Sequence, residues 1–554
     1  MINPVLPHIT LPRMLDEAVA RFPESLALSY AGSSLTFSQL RRAVDQLAMA
    51  FTRLDVRPGD RVAFVGPNCP QLVIGTYAAM RIGAVAVLLD PAFDAQVLHE
   101  QLVDCDAEVV LCVGACWDAV NEARRETRVR VVVASRPADA LGPGTRLRLR
   151  LRLARPRSRA KQLLAGPRSA PSGSITLSQL LLTAGLIPPS VETSPASTAV
   201  VLYEPHGDGP VRPVVLSHRS LVAAAYQTGW WLRGARAGHE TTLGLLPLST
   251  MAGLTLALNT TLLLGGRLVL VDSAAEAVAA MRDAAVTYLP IHSDDLRSLL
   301  DAGAFMGVGH RVVRDVLIAT AGFEPPTVAD GRRGSLALSA VSFAYGVPNA
   351  AGLSHATPFA RGIAGAGDAA TIGIPLPLTE SKVVDLTAAR RPVPSGEVGE
   401  LLIRGPQLIN LSLDADGFYA TGVLATTAAD ASVSYVGQVD DAIRVGRQWV
   451  WPTVVEAPVS ALPQVARAAA VQGYGRRGAG IVKLYVEPAA GAQLDSGMIR
   501  AVCETELPAN CVPGVIEIRA SLPLTEGGQV ARRELRDPRP ARSTTAARTE
   551  MDMS

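Results

Sequence analysis

Lysine is almost missing from this 554-residue chain: Lys161, Lys382 and Lys483 are the only three among 52 basic residues. Chemistry that needs a lysine amine at a set place therefore has few residues to draw on. The Ala- and Gly-rich composition fits a GC-rich genome, in which arginine widely takes the place of lysine. Charge is sparse too, at 18% of residues against 48% hydrophobic. That balance excludes a disordered chain and implies a well-buried core. The formal net charge of +2 leaves no general footprint for nucleic acid. No CxxC pair occurs among Cys69, Cys105, Cys112, Cys116, Cys503 and Cys511, so no metal site is expected. Cys112 and Cys116 flank a Val-Gly-Ala turn and read as buried free thiols of a reducing cytoplasm. The opening Met1-Ile2-Asn3-Pro4 lacks a basic region followed by an apolar core, so no secretory signal is expected. The most apolar window, 254–271, is interrupted by Asn259, Gly265, Gly266 and Arg267. It predicts a buried helix followed by a strand rather than a membrane span.

What is present is a repeated alternation of strand and helix. The pattern predicts strands at 26–30, 61–65, 84–89, 109–113 and 129–133, with helices from Phe37, capped by Thr36, and over 70–82. Such alternation argues for parallel sheet covered by helices. The length suits a large domain plus a smaller one. Residues 140–191 contain no Asp or Glu, and the run that starts at Arg146 and ends at Lys161 alternates Arg with Leu. Extended, it presents a basic side, which reads either as contact with an anionic membrane or as a solvated insertion. Residues 538–554 are polar and aperiodic and read as a tail.

Several motifs resemble those of the adenylate-forming ligases, the superfamily of acyl-CoA synthetases, luciferases and peptide-synthetase adenylation domains. Leu35-Thr36-Phe37-Ser38-Gln39-Leu40 and Gly59-Asp60-Arg61-Val62-Ala63 are similar to its N-terminal elements. Gly373-Ile374-Pro375, Gly396-Glu397-Val398-Gly399-Glu400-Leu401 and Arg404-Gly405-Pro406 match its central blocks. Leu522-Pro523-Leu524-Thr525 through Gly528-Gln529 to Arg532-Arg533-Glu534-Leu535 resembles its C-terminal signature. The basic insertion brings long-chain fatty-acid–CoA ligases nearest. The resemblance implies an α/β fold: a large domain over 1–435 of parallel-sheet subdomains plus a distorted β-barrel, with the insertion at about 140–175. A small mobile α+β domain follows over 437–537, pivoting at Asp440. It also implies ATP or AMP with Mg2+ and CoA as the groups handled, with a fatty acid as the ligand.

The departures fall where that family touches ATP. Gln529 stands at the position of the family's adenylation lysine. The phosphate loop reads Tyr203-Glu204-Pro205-His206-Gly207-Asp208-Gly209-Pro210-Val211-Arg212-Pro213. Its hydroxyls are gone, and its prolines supply no N–H to a phosphate. Arg212 at the loop's lysine position still offers an anion a cation. By resemblance Gly209, Arg212 and Ser217 would line the nucleotide, Tyr345 and Gly346 would take the adenine, and Asn349 replaces the Glu that holds Mg2+. Val423 stands where the ribose Asp is expected and Gln438 where the ribose Arg is. Thr250, Gly253, Ala321 and Gly322 would line the acyl pocket. Trp449 and Trp451 would narrow the route of the CoA thiol. Three readings follow: a binding or accessory protein that has lost adenylation, an active acyl-CoA or acyl-AMP ligase with an atypical ATP site, or an ATP-independent acyl-transfer enzyme using a group such as His206.

Overall fold

The computed structural model describes residues 5–140, 174–182, 191–205, 211–305, 313–319, 340–347, 350–361, 371–409, 413–446, 448–475, 479–524 and 530–537. These residues fall into two compact units. One draws on Met1–Lys382, Leu402–Tyr419 and Ala429–Val433, the other on Val383–Leu401, Ala420–Ala428 and Ser434–Ser554.

The large unit begins with a helix, Leu11–Arg21, whose first turn is capped by the Thr10 hydroxyl accepting from the Arg13 N–H. A hairpin follows, β1 (Leu26–Tyr30) and β2 (Ser33–Thr36). The helix Phe37–Arg53 then starts from a capping box in which Thr36 and Gln39 satisfy each other's backbone N–H groups. Seven strands form the next sheet: β3 (Arg61–Val65), β4 (Val85–Leu89), β5 (Val109–Val113), β6 (Val131–Ser135), β7 (Ser174–Thr176), β8 (Thr198–Pro205) and β9 (Val211–Ser217). Their order is β7-β6-β5-β3-β4-β8-β9, parallel throughout except for the antiparallel β8–β9 pair. A second parallel run is built from β10 (Thr241–Gly244), β11 (Arg267–Leu270), β12 (Tyr288–His292), β13 (Asp315–Ala319) and β14 (Ala340–Tyr345). Its order β14-β13-β12-β10-β11-β1 takes the first hairpin in at the edge. β4 and β5 are buried along their whole length. That explains why they read as unbroken apolar runs: both faces of a parallel sheet are covered.

Polar contacts hold the helices and sheets of this unit in register. Arg41 and Arg81 each reach both Asp16 and Asp45, with N···O distances from 2.6 to 3.1 Å, tying the helices Leu11–Arg21, Phe37–Arg53 and Pro70–Arg81 together. Between the two parallel sheets sits Asn68, buried at the start of the third of these helices. Its amide nitrogen donates to the carbonyls of Gly244, Leu246 and Val271, and its side-chain oxygen accepts from the Leu248 N–H at 2.9 Å. Asn68→Ala leaves those buried groups without partners, and each unmade bond costs on the order of 1–3 kcal/mol. We expect a loss of about 2–3 kcal/mol in urea unfolding; a loss under about 0.5 kcal/mol would show that the asparagine is not a joint.

The small unit centres on Val465–Tyr474 and Gly480–Pro488, paired antiparallel, with Val515–Ile518 added in parallel. Helices Pro452–Ser460 and Ser496–Glu506 bring Val455, Val459, Ile499 and Cys503 onto the Val482, Leu484 and Val486 side of that sheet. All six cysteines are free: Cys69, Cys105, Cys112, Cys503 and Cys511 are buried and Cys116 is half-exposed. Burial pushes the Cys69 thiol up to about 12 and those of Cys105 and Cys116 up to about 11. Among the described residues no helix is long and apolar enough to cross a membrane.

Candidate functional site

The carboxyl end of β8 and the start of β9 carry the altered loop. Tyr203 anchors its root, its phenol donating to Asp104 Oδ2 at 2.6 Å and lying 3.2 Å from the Gln101 carbonyl. Glu204 follows and accepts from the Met251 N–H at 2.7 Å. Burial raises its carboxyl above the ordinary range, and the bond from Met251 offsets part of that. Arg212 pairs with Glu204 in the β8–β9 register and is exposed. No ion pair joins the two among the described residues.

Ser217 ends β9 and caps the helix His218–Trp231, its hydroxyl accepting from the Ser220 N–H at 3.1 Å. The His218 ring turns the other way, into the core, where Nδ1 accepts from the Leu11 N–H at 3.4 Å. Burial lowers its pKa to about 4, so it is neutral. Ser217 and His218 therefore form no nucleophilic pair. Asp294 and Asp295 lie in the first turn of Ser293–Asp301, where their charge suits the helix start.

Met251, which holds Glu204, opens the helical stretch 251–263, most of it wound as a π-helix over Gly253–Asn259. Thr250 caps this stretch: its hydroxyl donates to the Pro247 carbonyl at 2.8 Å and accepts from the Gly253 N–H at 3.1 Å. A Cβ at Gly253 would lie 1.9 Å from the Pro247 carbonyl oxygen, so only glycine allows the chain to turn this tightly. Thr250 and Gly253, assigned to the acyl pocket by resemblance, thus stand one turn from Glu204. The wide winding is held by the Thr255 hydroxyl donating to the Ala351 carbonyl at 2.6 Å and by the Thr260 hydroxyl donating to the Thr255 carbonyl at 2.8 Å.

Tyr345 ends β14 and is wholly buried, paired in register with His355. Gly346 follows, where a Cβ would meet the Gly352 carbonyl at 2.9 Å. His355 is also wholly buried; Nδ1 lies 3.0 Å from the Ser354 hydroxyl, Nε2 has no hydrogen-bond partner among the described residues, and burial lowers the pKa to about 3.

The remaining positions belong to the small unit. Thr421-Gly422-Val423 lies in the strand Tyr419–Thr427, and its polar groups are used internally. The Thr421 hydroxyl donates to the Leu401 carbonyl at 2.7 Å, and the Gly422 N–H to Glu400 at 3.3 Å. Val423 has no exposed surface. Its aliphatic side chain offers no hydrogen-bond acceptor. Gln438 ends the strand Val433–Gln438 and is half-exposed. Asp440 lies in the single turn Val439–Asp441; its carboxylate is 3.6 Å from Arg533, and its carbonyl accepts from Arg536 at 2.6 Å. Arg444 lies over the Trp449 ring at 5.3 Å. Lys483 is engaged with Asp537 at 3.1 Å and Glu517 at 3.6 Å. Glu456 is buried in Pro452–Ser460, accepts from the Ala470 N–H at 2.7 Å and pairs with Arg532 at 2.8 Å.

Gly209, Ala321, Gly322, Asn349 and Gln529 lie outside the described residues, as do His206, the run from Arg146 to Lys161 and the tail. A cleft of about 420 Å3 occurs at Gly59, Arg61, Gly83, Val85 and Glu192. It sits at the amino ends of β3 and β4, away from the carboxyl end of β8, where open parallel sheets place their ligand sites. Sequence reasoning missed the Glu204–Met251 bond and the solvent-free His355; neither has a signal within its own stretch of chain.

Parallel sheets in a large unit, a loop at the carboxyl end of β8 and a small α+β unit define an adenylate-forming ligase fold. The chain belongs to the AMP-binding enzyme family, whose model matches residues 15–411. It is 24% identical over 544 residues to a long-chain-fatty-acid–CoA ligase of Bacillus subtilis, covering 96% of this chain and 94% of that one. A feruloyl-CoA synthase of an Amycolatopsis species is 25% identical over 542 residues, covering 93% of this chain and 96% of that one. Among solved structures, ATP-bound MatB from Rhodopseudomonas palustris superposes with a TM-score of 0.72 at 18% identity, covering 95% of this chain and 98% of that one. A Mycobacterium tuberculosis fatty acyl CoA synthetase does so with a TM-score of 0.70 at 18% identity, covering 95% and 97%.

Proposed function

We propose that this AMP-binding-family protein, related to long-chain fatty-acid–CoA ligases, has lost or strongly reduced adenylation and binds an acyl ligand in an accessory role. The observation that carries this reading is Val423, a fully buried aliphatic side chain where the resemblance calls for the carboxylate that holds a ribose. Gln438 and Gln529 add to it, because each replaces a cation with a neutral amide. Losing one charge-stabilising donor costs roughly 3–4 kcal/mol of transition-state energy, and losses within one site do not add simply. A second reading, an active ligase with an atypical ATP site, draws on the exposed Arg212 and on the activities in the names of the relatives.

ATP–pyrophosphate exchange with a panel of fatty and aryl acids separates the two. We expect exchange indistinguishable from a no-enzyme control, together with measurable binding of acyl compounds. Robust exchange that disappears in Arg212→Ala would establish the active ligase instead.

A further inference from the structure

We propose that the cleft at the amino ends of β3, β4 and β8 is a second ligand site, suited to a zwitterionic apolar peptide of about dipeptide size. It lies at the other end of the sheet from the altered loop and does not depend on the acyl-binding reading.

The floor of the cleft follows from strand register. Val201 pairs with Val87 on one side and with Val215 on the other. Val85 stands two residues before Val87, so Val85, Val201 and Val215 present their side chains to one face of the sheet. The helix Ala95–Cys105 packs Leu98 and Leu102 onto part of that face. The rest lines the cleft of about 420 Å3, where Val215 is 48% exposed. Clefts that hold small molecules span roughly 300–1,000 Å3. The walls are pinned by backbone bonds. On one, the Gly59 N–H donates to the Gly83 carbonyl at 2.8 Å; on the other, the His218 N–H donates to the Ser197 carbonyl at 3.1 Å and the Arg219 N–H to the Pro195 carbonyl at 2.7 Å. The two walls meet at Gly83, where a Cβ would stand 3.1 Å from Val191 Cγ1 and 3.4 Å from Thr193 Oγ1. The cleft is therefore formed before a ligand arrives.

Charge selects the occupant. Arg61, in register with Val85, sets a cation on the lining, and Glu192 sets an anion there. No ion pair joins the two among the described residues. A lone anion is drawn by Arg61 and repelled by Glu192, and a lone cation the reverse; a molecule carrying both charges is drawn by both. Both side chains are exposed, so each contributes modestly and the apolar floor supplies the rest. A peptide of two apolar residues meets these demands together. Its carboxylate suits the planar fork of Arg61, its ammonium suits Glu192, and its side chains suit the valines. The hydroxyls of Thr193 and Thr198, also in the lining, can donate to or accept from its peptide group.

The test is calorimetric titration of the full chain at pH 7 with leucyl-leucine and three relatives. The C-terminal amide lacks the anion, the N-acetyl form lacks the cation, and glycylglycine lacks the apolar side chains. Wild type should bind leucyl-leucine with a Kd on the order of 1 mM or below, at least about threefold tighter than any of the three. Arg61→Gln should lose the preference over the amide and Glu192→Gln the preference over the N-acetyl form, each keeping the other preference. Val215→Ser changes an exposed side chain, so the fold is not at stake; it should weaken leucyl-leucine by at least about twofold and leave glycylglycine unchanged. No binding of leucyl-leucine at about 10 mM overturns the site. Preferences that persist in both glutamine variants overturn it too, because the peptide then binds elsewhere. The N-acetyl form binding wild type as tightly as leucyl-leucine overturns the zwitterion, and glycylglycine doing so overturns the valine floor.

Discussion

Lowering the pH from 7.5 to 5 is expected to remove about 4 kcal/mol from the stability of the large unit, through two histidines. His218 and His355 are buried and neutral, with pKa values lowered to about 4 and about 3 by burial. In the unfolded chain each returns to about 6.5. Below that value the unfolded chain binds a proton at each position and the folded chain does not. Stability therefore falls as pH falls, by about 1.4 kcal/mol per unit for each histidine, until the folded pKa is reached. The carboxyls of Glu204 and Asp315 in the same unit are raised by burial and work in the opposite direction, because folding favours their protonated forms. Single variants separate these contributions. Urea unfolding at half-unit intervals between pH 5 and 7.5 should show a shallower slope in His218→Gln and again in His355→Gln, by about 1 kcal/mol per unit each. Identical slopes in wild type and both variants would mean that neither ring is held neutral.

The second large effect lies in the small unit. Glu456 is 8% exposed, and burial raises its carboxyl even though Arg532 pairs with it through two N–H groups. Arg532→Met keeps the length of the side chain and removes the charge, leaving a buried carboxylate with only the Ala470 N–H. Breaking one side of a buried pair costs about 3–5 kcal/mol, because the stranded charge must be neutralised or hydrated. Adding Glu456→Gln to the same protein should recover at least about 1 kcal/mol, the coupling expected of residues in direct contact. Hydrogen exchange of the amides in Val465–Tyr474 and Gly480–Pro488 gives the readout, since these strands form the sheet that Glu456 buttresses. Unchanged protection in Arg532→Met would show the pair to be energetically idle.

The strands that a reader of the sequence can place are those whose burial leaves a mark in their own residues. Arg61–Val65 and Val109–Val113 fall where their apolar runs predict, because the buried stretch of a parallel strand covered on both faces, Val62–Val65 in the first and all of the second, has nowhere to put a polar side chain. The next strand runs Val131–Ser135 rather than over 129–133, since its start is set by Val131 pairing with Val109. That register is a property of two strands and is written in neither alone. The helix after Thr36 was legible because a capping box is local chemistry. The same division runs through the site. Val423 stands out in sequence because a neighbouring Thr-Gly frames it. Its burial and the internal use of Thr421 and Gly422 need the pairing with the strand that holds Leu401. In sequence Glu204 is one residue of the altered loop, while its partner Met251 lies 47 residues away. Glu456 and Arg532 are 76 residues apart, and no periodicity links them.

The six free thiols lend themselves to watching each unit open separately. Cys69, Cys105, Cys112 and Cys116 lie in the large unit, while Cys503 and Cys511 lie in the small one. With burial raising the thiols of Cys69, Cys105 and Cys116 to 11 or above, almost no reactive thiolate exists while the structure is closed. An alkylating reagent followed by peptide mass analysis then acts as two independent clocks within one chain. One clock counts openings of the unit that carries the β8–β9 loop, and the other counts those of the unit that carries Glu456 and Arg532.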